Sequence, residues 1–426
     1  MHDPWNAVST NRVLERIIPL LPPSSYLVGG CVRDLLLGRE ILDVDLVTFS
    51  DVWGLAKQME SLLGGKAFWL DRERGGVRIV VKGTDLMVDV LPPRGSDIAT
   101  DLSMRDITIN AMAFDVKTHE LLDPLRGQED LRRGIIRIIA EQNLTDDPLR
   151  GIRCLRFAVS LEFAVEEETM SLIRTHAGLI HRVSPERIKQ EIMKSLSSSS
   201  GSVFFKLLME AGYGEELFHH GPATDRGDSA GRVGAVEILL EDVRNILPGI
   251  GEHFSRDVEY GFSRAAALKL AAFLIGISDN SYRTRDICRK LAFSSRTARL
   301  LANTREAQER LVSLLANQDV GRKDLFALFR SYPECIPETL LLAGASGNLL
   351  KDRILEIWSL YQEVYHPQKN NPLLSGRDIM NALRLDQGRL VGKYLEMVED
   401  ARLEGLISTR EEAVKYLKDI SSRYLL

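Results

Sequence analysis

A change of period near Asp146 constrains this chain more than any other feature. Before it, YLVGG, VDLVTF, GVRIVVKG, LMVDVL and AMAFDV are short runs rich in Val, Ile and Leu, bounded by Gly, Pro and Asp, and they read as strands. VRDLLLG and DVWGLAKQMESLLG read as helices between them, with Val52, Leu55, Met59, Leu62 and Leu63 on one face of the second. Beyond Asp146 the strand signals nearly vanish. PLRGIRCLRFAVSL, EEETMSLIRTHAGLI, SPERIKQEIMKSL and VFFKLLMEAG follow one another as helices, the third opened by Ser184 and Pro185. The pattern predicts a small α/β head followed by a long helical body.

A chain of 426 residues exceeds one small core, so about two to four domains are expected. SSSSGS (197–202) suits a turn or boundary, GPATDRGDSAGRVG (221–234) a surface loop, and VYHPQKNNPLLSG (364–376) a break before the last helical region. AAALKLAAFLIGI (265–277) is too short to span a bilayer and reads as a buried core helix, so no membrane partner is expected. MHDPWNAVST does not read as a secretion signal, and Cys31, Cys154, Cys288 and Cys335 are too scattered for a zinc site or disulfide framework. Both features fit a reducing, cytoplasmic setting. The net charge of -5 argues mildly against a chain coated for nonspecific nucleic-acid binding, yet LRRGIIR (131–137), RGIRCLR (150–156) and HRVSPERIKQ (181–190) are locally basic.

Asp43 and Asp45 stand two apart in the strand-like ILDVDLVTF, so both side chains leave one face. Two carboxylates on one face repel unless a cation joins them, and Mg2+ is commonly held by one or two carboxylates together with substrate phosphates. Asp89 in LMVDVL is the nearest third acid. An Asp-x-Asp alone is also common on solvated faces. Here it follows Gly29 and Gly30, which let backbone approach a phosphate at the opening of a helix. Arg33 can reach that anion or pair with Asp34 or Asp43.

In DLSMRDITINAMAFD (101–115), Ile107, Ile109, Ala111 and Ala113 alternate, while Arg105, Asp106 and Asn110 can serve as turn and cap residues or hold a ribose or triphosphate. In LTDDPLRGIRCLRFAVSLEF (144–163), Arg150, Arg153 and Arg156 share one helical stripe with Asp146 and Asp147 at its start. That stripe fits a surface salt-bridge ladder or a set of groups presented to the edge of a base.

In this order, LVGGCVRDLLLG with DVDLVT, DLSMRDITINAMAFD, LLDPLRGQEDLRRGIIRII, DDPLRGIRCLRFA and RVSPERIKQEI resemble the successive motifs of class II tRNA nucleotidyltransferases and bacterial poly(A) polymerases. The resemblance covers about residues 25 to 192, and PLLSGRDIMNALRLDQGRLVGKYLEMVEDARLEGLISTREEA is similar to the tails of many members. It implies an α+β polymerase-beta-like head with a mixed β-sheet (1–140), then an all-α neck (141–200), body (201–365) and tail (366–426). It further implies metal binding by Asp43 and Asp45, beside which Asp89 of the strand-like LMVDVL is the candidate third catalytic acid. Gly29, Gly30, Arg33 and Asp34 would surround the triphosphate, and Arg105, Asp106 and Asn110 the sugar and phosphates. Asp147 and Arg150, with Arg153 and Arg156 along the same stripe, would meet the incoming base. The implied cofactor is Mg2+, and the implied partners are CTP, with ATP in some members, and the 3' end and acceptor stem of tRNA.

The chain departs from the family pattern at Met104, where a second arginine is usual, at Ile107 in place of a common phenylalanine, and at Asp146 in place of glutamate. Only VLPPRGSDIAT (90–100) separates Asp89 from Asp101, where many members carry a longer flexible segment. A shortened segment goes with enzymes that stop after CC and leave the last residue to a separate A-adding enzyme, which makes CC addition the expected activity. Complete CCA addition comes next, then A-only or poly(A) synthesis. A noncatalytic RNA-binding protein would lack Asp43 or Asp45, and a small-molecule nucleotidyltransferase would not need the basic helical neck. Ile275 and Gly276 stand where some relatives carry a His-Asp hydrolase motif, so no second hydrolytic site is expected. None of the histidines, among them His119, His176, His181, His219, His220, His253 and His366, shows acid-partner spacing.

Overall fold

The protein is described by a computed structural model in which residues 8, 11–41, 43–218, 229–316 and 320–424 are placed. Its contacts divide the chain into two compact units, Met1–Ser198 with Lys206–His219, and Ser199–Phe205 with His220–Leu426. His219, His220 and residues 221–228 lie outside the described residues.

In the first unit, seven strands form a mixed sheet: β1 (Ser25–Val28), β2 (Asp43–Thr48), β3 (Gly65–Asp71), β4 (Gly76–Val81), β5 (Met87–Leu91), β6 (Ala113–Asp115) and β7 (Leu121–Leu122). Their order is β3-β4-β5-β2-β1-β6-β7. β2 and β5 run parallel, with Asp45 opposite Asp89, and the other neighbours are antiparallel. Helix α1 (Gly30–Leu36) follows β1, and α2 (Val52–Leu63) follows β2. The Asp51 carboxylate accepts the Gly54 amide at the start of α2, and Gly64, at φ 68°, closes it in the left-handed conformation that glycine adopts freely.

Sequence periodicity passed over β3, because Phe68, Trp69 and Leu70 are consecutive and give no alternation. The segment with alternating apolar residues is not one strand either. Helix α3 (Ile98–Ser103) and a 3-10 turn at Thr108–Asn110 precede β6, and Ile107, Ile109 and Ala111 are all buried in and beside that turn. Two helices finish the part of this unit that bears the site, α4 (Leu149–Leu161) and α5 (Pro185–Leu196).

The second unit is helical around α7 (Arg264–Ile277), which is apolar on nearly every side as a core helix must be. Phe273 stacks on Phe205 with ring centroids 3.7 Å apart. The buried Lys269 meets Glu237 of α6 (Ser229–Glu241) at 3.2 Å. Residues 229–234 therefore belong to a helix and not to a surface loop. Buried Val233 and Val236 supply the packing that overrides the poor helix propensity of its glycines. The break expected at 364–376 is confined to its second half. A π-helical turn at Leu360–Tyr365 leads straight into a helix at His366–Asn370, and such a turn loosens the hydrogen-bond ladder where Pro367 has no N–H to give. Among the described residues, no helix is long and apolar enough to cross a membrane.

Candidate active site

β1 ends at the pair of glycines, and the geometry there leaves no choice of residue. Gly29 has φ 74°, and a Cβ on it would stand 2.9 Å from Arg105 Nη1 and 3.1 Å from Asp45 Oδ2. Both the backbone angle and the close approach of two charged groups demand glycine.

Asp43 and Asp45 leave β2 on one face, the first exposed and the second half-buried. Burial pushes the Asp45 carboxyl up to about 6; Arg105 opposes the shift, and Asp89 and Asp43 add to it. Partial shielding of its carboxyl from water by the surrounding protein also raises Asp43, although the residue is exposed, against the pull of Arg78. The pair thus carries a deficit of positive charge that a divalent ion would fill, and its oxygens suit a hard cation.

Asp89 lies beside Asp45 in register, but its carboxylate is taken by Arg78, with Nε and Nη2 each 2.7 Å away. Among the described residues, no group of three His, Cys, Asp or Glu side chains is arranged to hold a metal. Asp89, the expected third catalytic acid, thus stands beside the pair with its carboxylate held by Arg78. Arg78 was not recognised from sequence.

A cavity of about 520 Å3 opens over Gly29, Gly30, Arg33, Asp34, Asp43, Asp45, Arg105, Asp106, Asn110, Arg153 and Arg156. Its wall is held by a hydrogen-bonded chain from Asp34 to Arg153 and by a neighbouring Arg156–Glu191 pair. Arg33 donates to Asp34 at 3.0 and 2.8 Å and to Asn110 Oδ1 at 2.7 Å, while Asn110 donates to Asp106 at 3.3 Å. Arg153 grips Asp106 at 3.0 and 2.8 Å, and Arg156 donates to Glu191 at 2.6 Å. Burial works against the charge on Asp106, but Arg153 and the hydrogen bonds from Arg153, Asn110 and the Ile107 amide hold its carboxyl below the usual range.

Beneath them, the Phe157 ring lies 5.3, 5.4 and 4.1 Å from the guanidinium carbons of Arg33, Arg153 and Arg156. Arg105 is anchored by the buried Asp101 at 2.9 Å. Neither Phe157 nor Asp101 was anticipated. An aromatic residue next to an arginine stripe is the signal that could have found the first.

A second cavity of about 420 Å3 shares Arg105, Asp106, Arg153 and Lys194 with the first and is further lined by Asp147, Arg150, Arg187, Arg74 and Arg94. Asp147 and Arg150 both reach this cavity but are not bonded to each other through their side chains. Arg187 of α5 donates to Asp147 at 2.8 Å, and Arg150 donates to the carbonyls of Met104 and Arg105 at 2.6 and 3.2 Å. Asp146 is exposed and accepts from Gln142 at 2.6 Å. Arg187, Gln190, Glu191 and Lys194 form one face of α5, a spacing legible in the sequence although it was not singled out.

The histidines do find acids, from far along the chain. His176 meets Glu141 at 2.7 Å, His181 meets Glu216 at 2.7 Å, and His253 meets the buried Glu338 at 2.9 Å. No local spacing could show pairs 35 and more residues apart. None of these histidines lines either cavity. At the position of the absent His-Asp motif, a Cβ on Gly276 would come within 2.1 Å of Ser229 Oγ, so that stretch is packing.

The head matches the model described as "Poly A polymerase head domain" over residues 25–94 and 90–137, and residues 162–226 match "Probable RNA and SrmB- binding site of polymerase A". The chain is 33% identical over 408 residues to the CC-adding tRNA nucleotidyltransferase of Geobacter sulfurreducens, covering 92% of this chain and 91% of that one. It is 29% identical over 445 residues to the A-adding tRNA nucleotidyltransferase of Deinococcus radiodurans, covering 94% and 96%. The fold is shared with the Thermotoga maritima CCA-adding enzyme complexed with tRNA, at a TM-score of 0.71 and 22% identity over 98% of both chains. With its mixed-sheet head, its helical remainder and a 33% identical relative along nine-tenths of its length, the chain belongs to the class II tRNA nucleotidyltransferases of the poly(A) polymerase superfamily.

Proposed function

We propose that the protein adds cytidine residues to the 3' end of tRNA from CTP, without a nucleic-acid template, and releases pyrophosphate. The observation that carries this reading is the Asp43–Asp45 pair at the floor of a cavity that shares four wall residues with the one lined by Asp147 and Arg150. The new bond joins the RNA 3' oxygen to the α-phosphorus of CTP, and the bond from that phosphorus to the pyrophosphate oxygen breaks. No protein nucleophile takes part.

Family membership carries a divalent-metal-dependent reaction. Mg2+ is the ion we assign to Asp43 and Asp45, where it would lower the pKa of the attacking hydroxyl and neutralise charge on the phosphates. Arg33 and Arg105 hold the triphosphate against the Gly29–Gly30 backbone. Asp147 accepts from the exocyclic amine of cytosine and Arg150 donates to its ring edge, as carboxylates and guanidiniums do with base edges elsewhere. Both must first exchange their present partners, Arg187 and two backbone carbonyls. Arg153 and Arg156 keep the wall of the pocket in place. The four-part division into head (1–140), neck (141–200), body (201–365) and tail (366–426) gives the neck, body and tail to the tRNA backbone and acceptor stem.

A second reading is complete CCA addition using CTP and then ATP. It is favoured by the Thermotoga CCA-adding enzyme, whose fold this chain shares over 98% of its length, and the relatives include A-adding as well as CC-adding proteins. The short 90–100 segment favours CC addition.

The test uses one tRNA ending at the discriminator base, at C and at CC, each incubated with CTP, ATP or both and read at single-nucleotide resolution. Two added cytidines with an inert CC-ended substrate support the first reading, whereas one further adenosine establishes the second. No addition to any of the three overturns both.

A further inference from the structure

The sheet face that carries the acids continues past them to the edge of the sheet. Paired residues on neighbouring strands point to the same side, so Phe68, Arg78, Asp89 and Asp45 form one row across β3, β4, β5 and β2. Lys66, Val80, Met87 and Asp43 form the next row on that face. At its outer end Phe68 is 43% and Val80 37% exposed. Strand β3 is anchored from the other face, where Trp69 stacks on Trp53 with centroids 4.6 Å apart, so the Phe68 ring is not needed to hold it.

Three strand spacings, roughly 14 Å, separate Phe68 from Asp45. The cavity assigned to the triphosphate lies on the other side of β2, around Gly29, Arg33 and Arg105. A second substrate that must bring a hydroxyl to Asp43 and Asp45 therefore has the β5-β4-β3 side open to it. Along that path it meets the Arg78 guanidinium, whose Nη1 is left over after Nε and Nη2 bind Asp89, and then an exposed aromatic ring beside Lys66.

We propose that this face is the seat of the RNA 3'-terminal segment, with the Phe68 ring stacking one of the last two bases and Arg78 meeting the phosphate between them. The inference rests on the nucleotidyl-transfer reading above. Aromatic stacking accepts any base, which suits a primer end that changes with each addition.

The test is a cycle of protein and RNA changes, read as KM for RNA in cytidine addition. The variants are Phe68→Ala and Phe68→Tyr. The RNAs are tRNAs carrying an abasic ribose at the last or the penultimate position. Phe68→Ala is expected to raise KM for RNA roughly 5- to 100-fold and leave KM for CTP unchanged, while Phe68→Tyr, which keeps a π face, retains the wild-type value. At one of the two positions the abasic RNA should lose as much with wild type as the intact RNA loses with Phe68→Ala, and the two losses should not multiply. An unchanged KM in Phe68→Ala, a tyrosine variant as poor as alanine, or losses that multiply at both positions would overturn the seat while leaving the transferase reading intact. Wild-type protein that extends none of the intact RNAs would overturn that reading and the seat with it.

Discussion

Asp45 shows most clearly how a single residue ties structure to chemistry. With its carboxyl pushed up to about 6, it is mostly protonated at pH 5 and mostly ionised at pH 7. A divalent ion must displace that proton, so apparent affinity for Mn2+, measured calorimetrically without RNA, should be about tenfold weaker at pH 5 than at pH 7. The sign for stability follows from the same shift. The folded state holds the proton more tightly than an ordinary carboxyl of pKa 3.8, so the metal-free protein should lose stability as pH rises from about 4 to about 6, and saturating Mn2+ should remove that loss. A pH-independent metal affinity would show that Asp45 is not a ligand. At Phe157, replacement by leucine keeps an apolar side chain but removes the ring shared by three guanidiniums. It should cost about 1–2 kcal/mol of stability in urea unfolding and raise KM for CTP.

Elements place these residues, and here the sequence was partly legible. The strand with Asp43 and Asp45, the glycine pair that opens α1 and the arginine stripe of α4 all follow from period and spacing. What stayed hidden depends on partners far away in the chain. Arg78 matters because β4 pairs with β5, and Arg187 because α5 passes Asp147 forty residues later. The fork of Asp147 and Arg150 could not be seen as separately bonded from their spacing alone. Arg150→Ala should reduce discrimination between CTP and UTP at least tenfold while changing tRNA affinity less than threefold, since its ends bond backbone at the pocket and not the helical surface. Unchanged selectivity would remove Arg150 from base choice. In the second unit, Gly276→Ala should lower stability by about 1–3 kcal/mol through collision with Ser229, and Ser229→Ala in the same chain should restore part of it. Equal melting temperatures for wild type and Gly276→Ala would contradict that packing.

At the scale of the whole molecule, the proposed function asks an acidic chain to bind an acidic polymer. Its 55 Lys and Arg are outnumbered by 60 Asp and Glu, yet Arg74, Arg94, Arg105, Arg150, Arg153, Arg187 and Lys194 converge on one cavity. Composition averages over the chain and therefore hides such a cluster, of which the ordered motifs pointed to Arg105, Arg150 and Arg153 only. Net charge excluded little for the same reason. The central claim is that Asp43 and Asp45 perform the transfer while other residues hold the tRNA. The most direct measurement compares wild type with the double variant Asp43→Ala, Asp45→Ala for cytidine addition to discriminator-ended tRNA, with tRNA affinity measured in parallel. The account predicts addition lowered by at least a thousandfold and affinity within about threefold of wild type. Retained addition, or lost tRNA binding by a correctly folded variant, would contradict it.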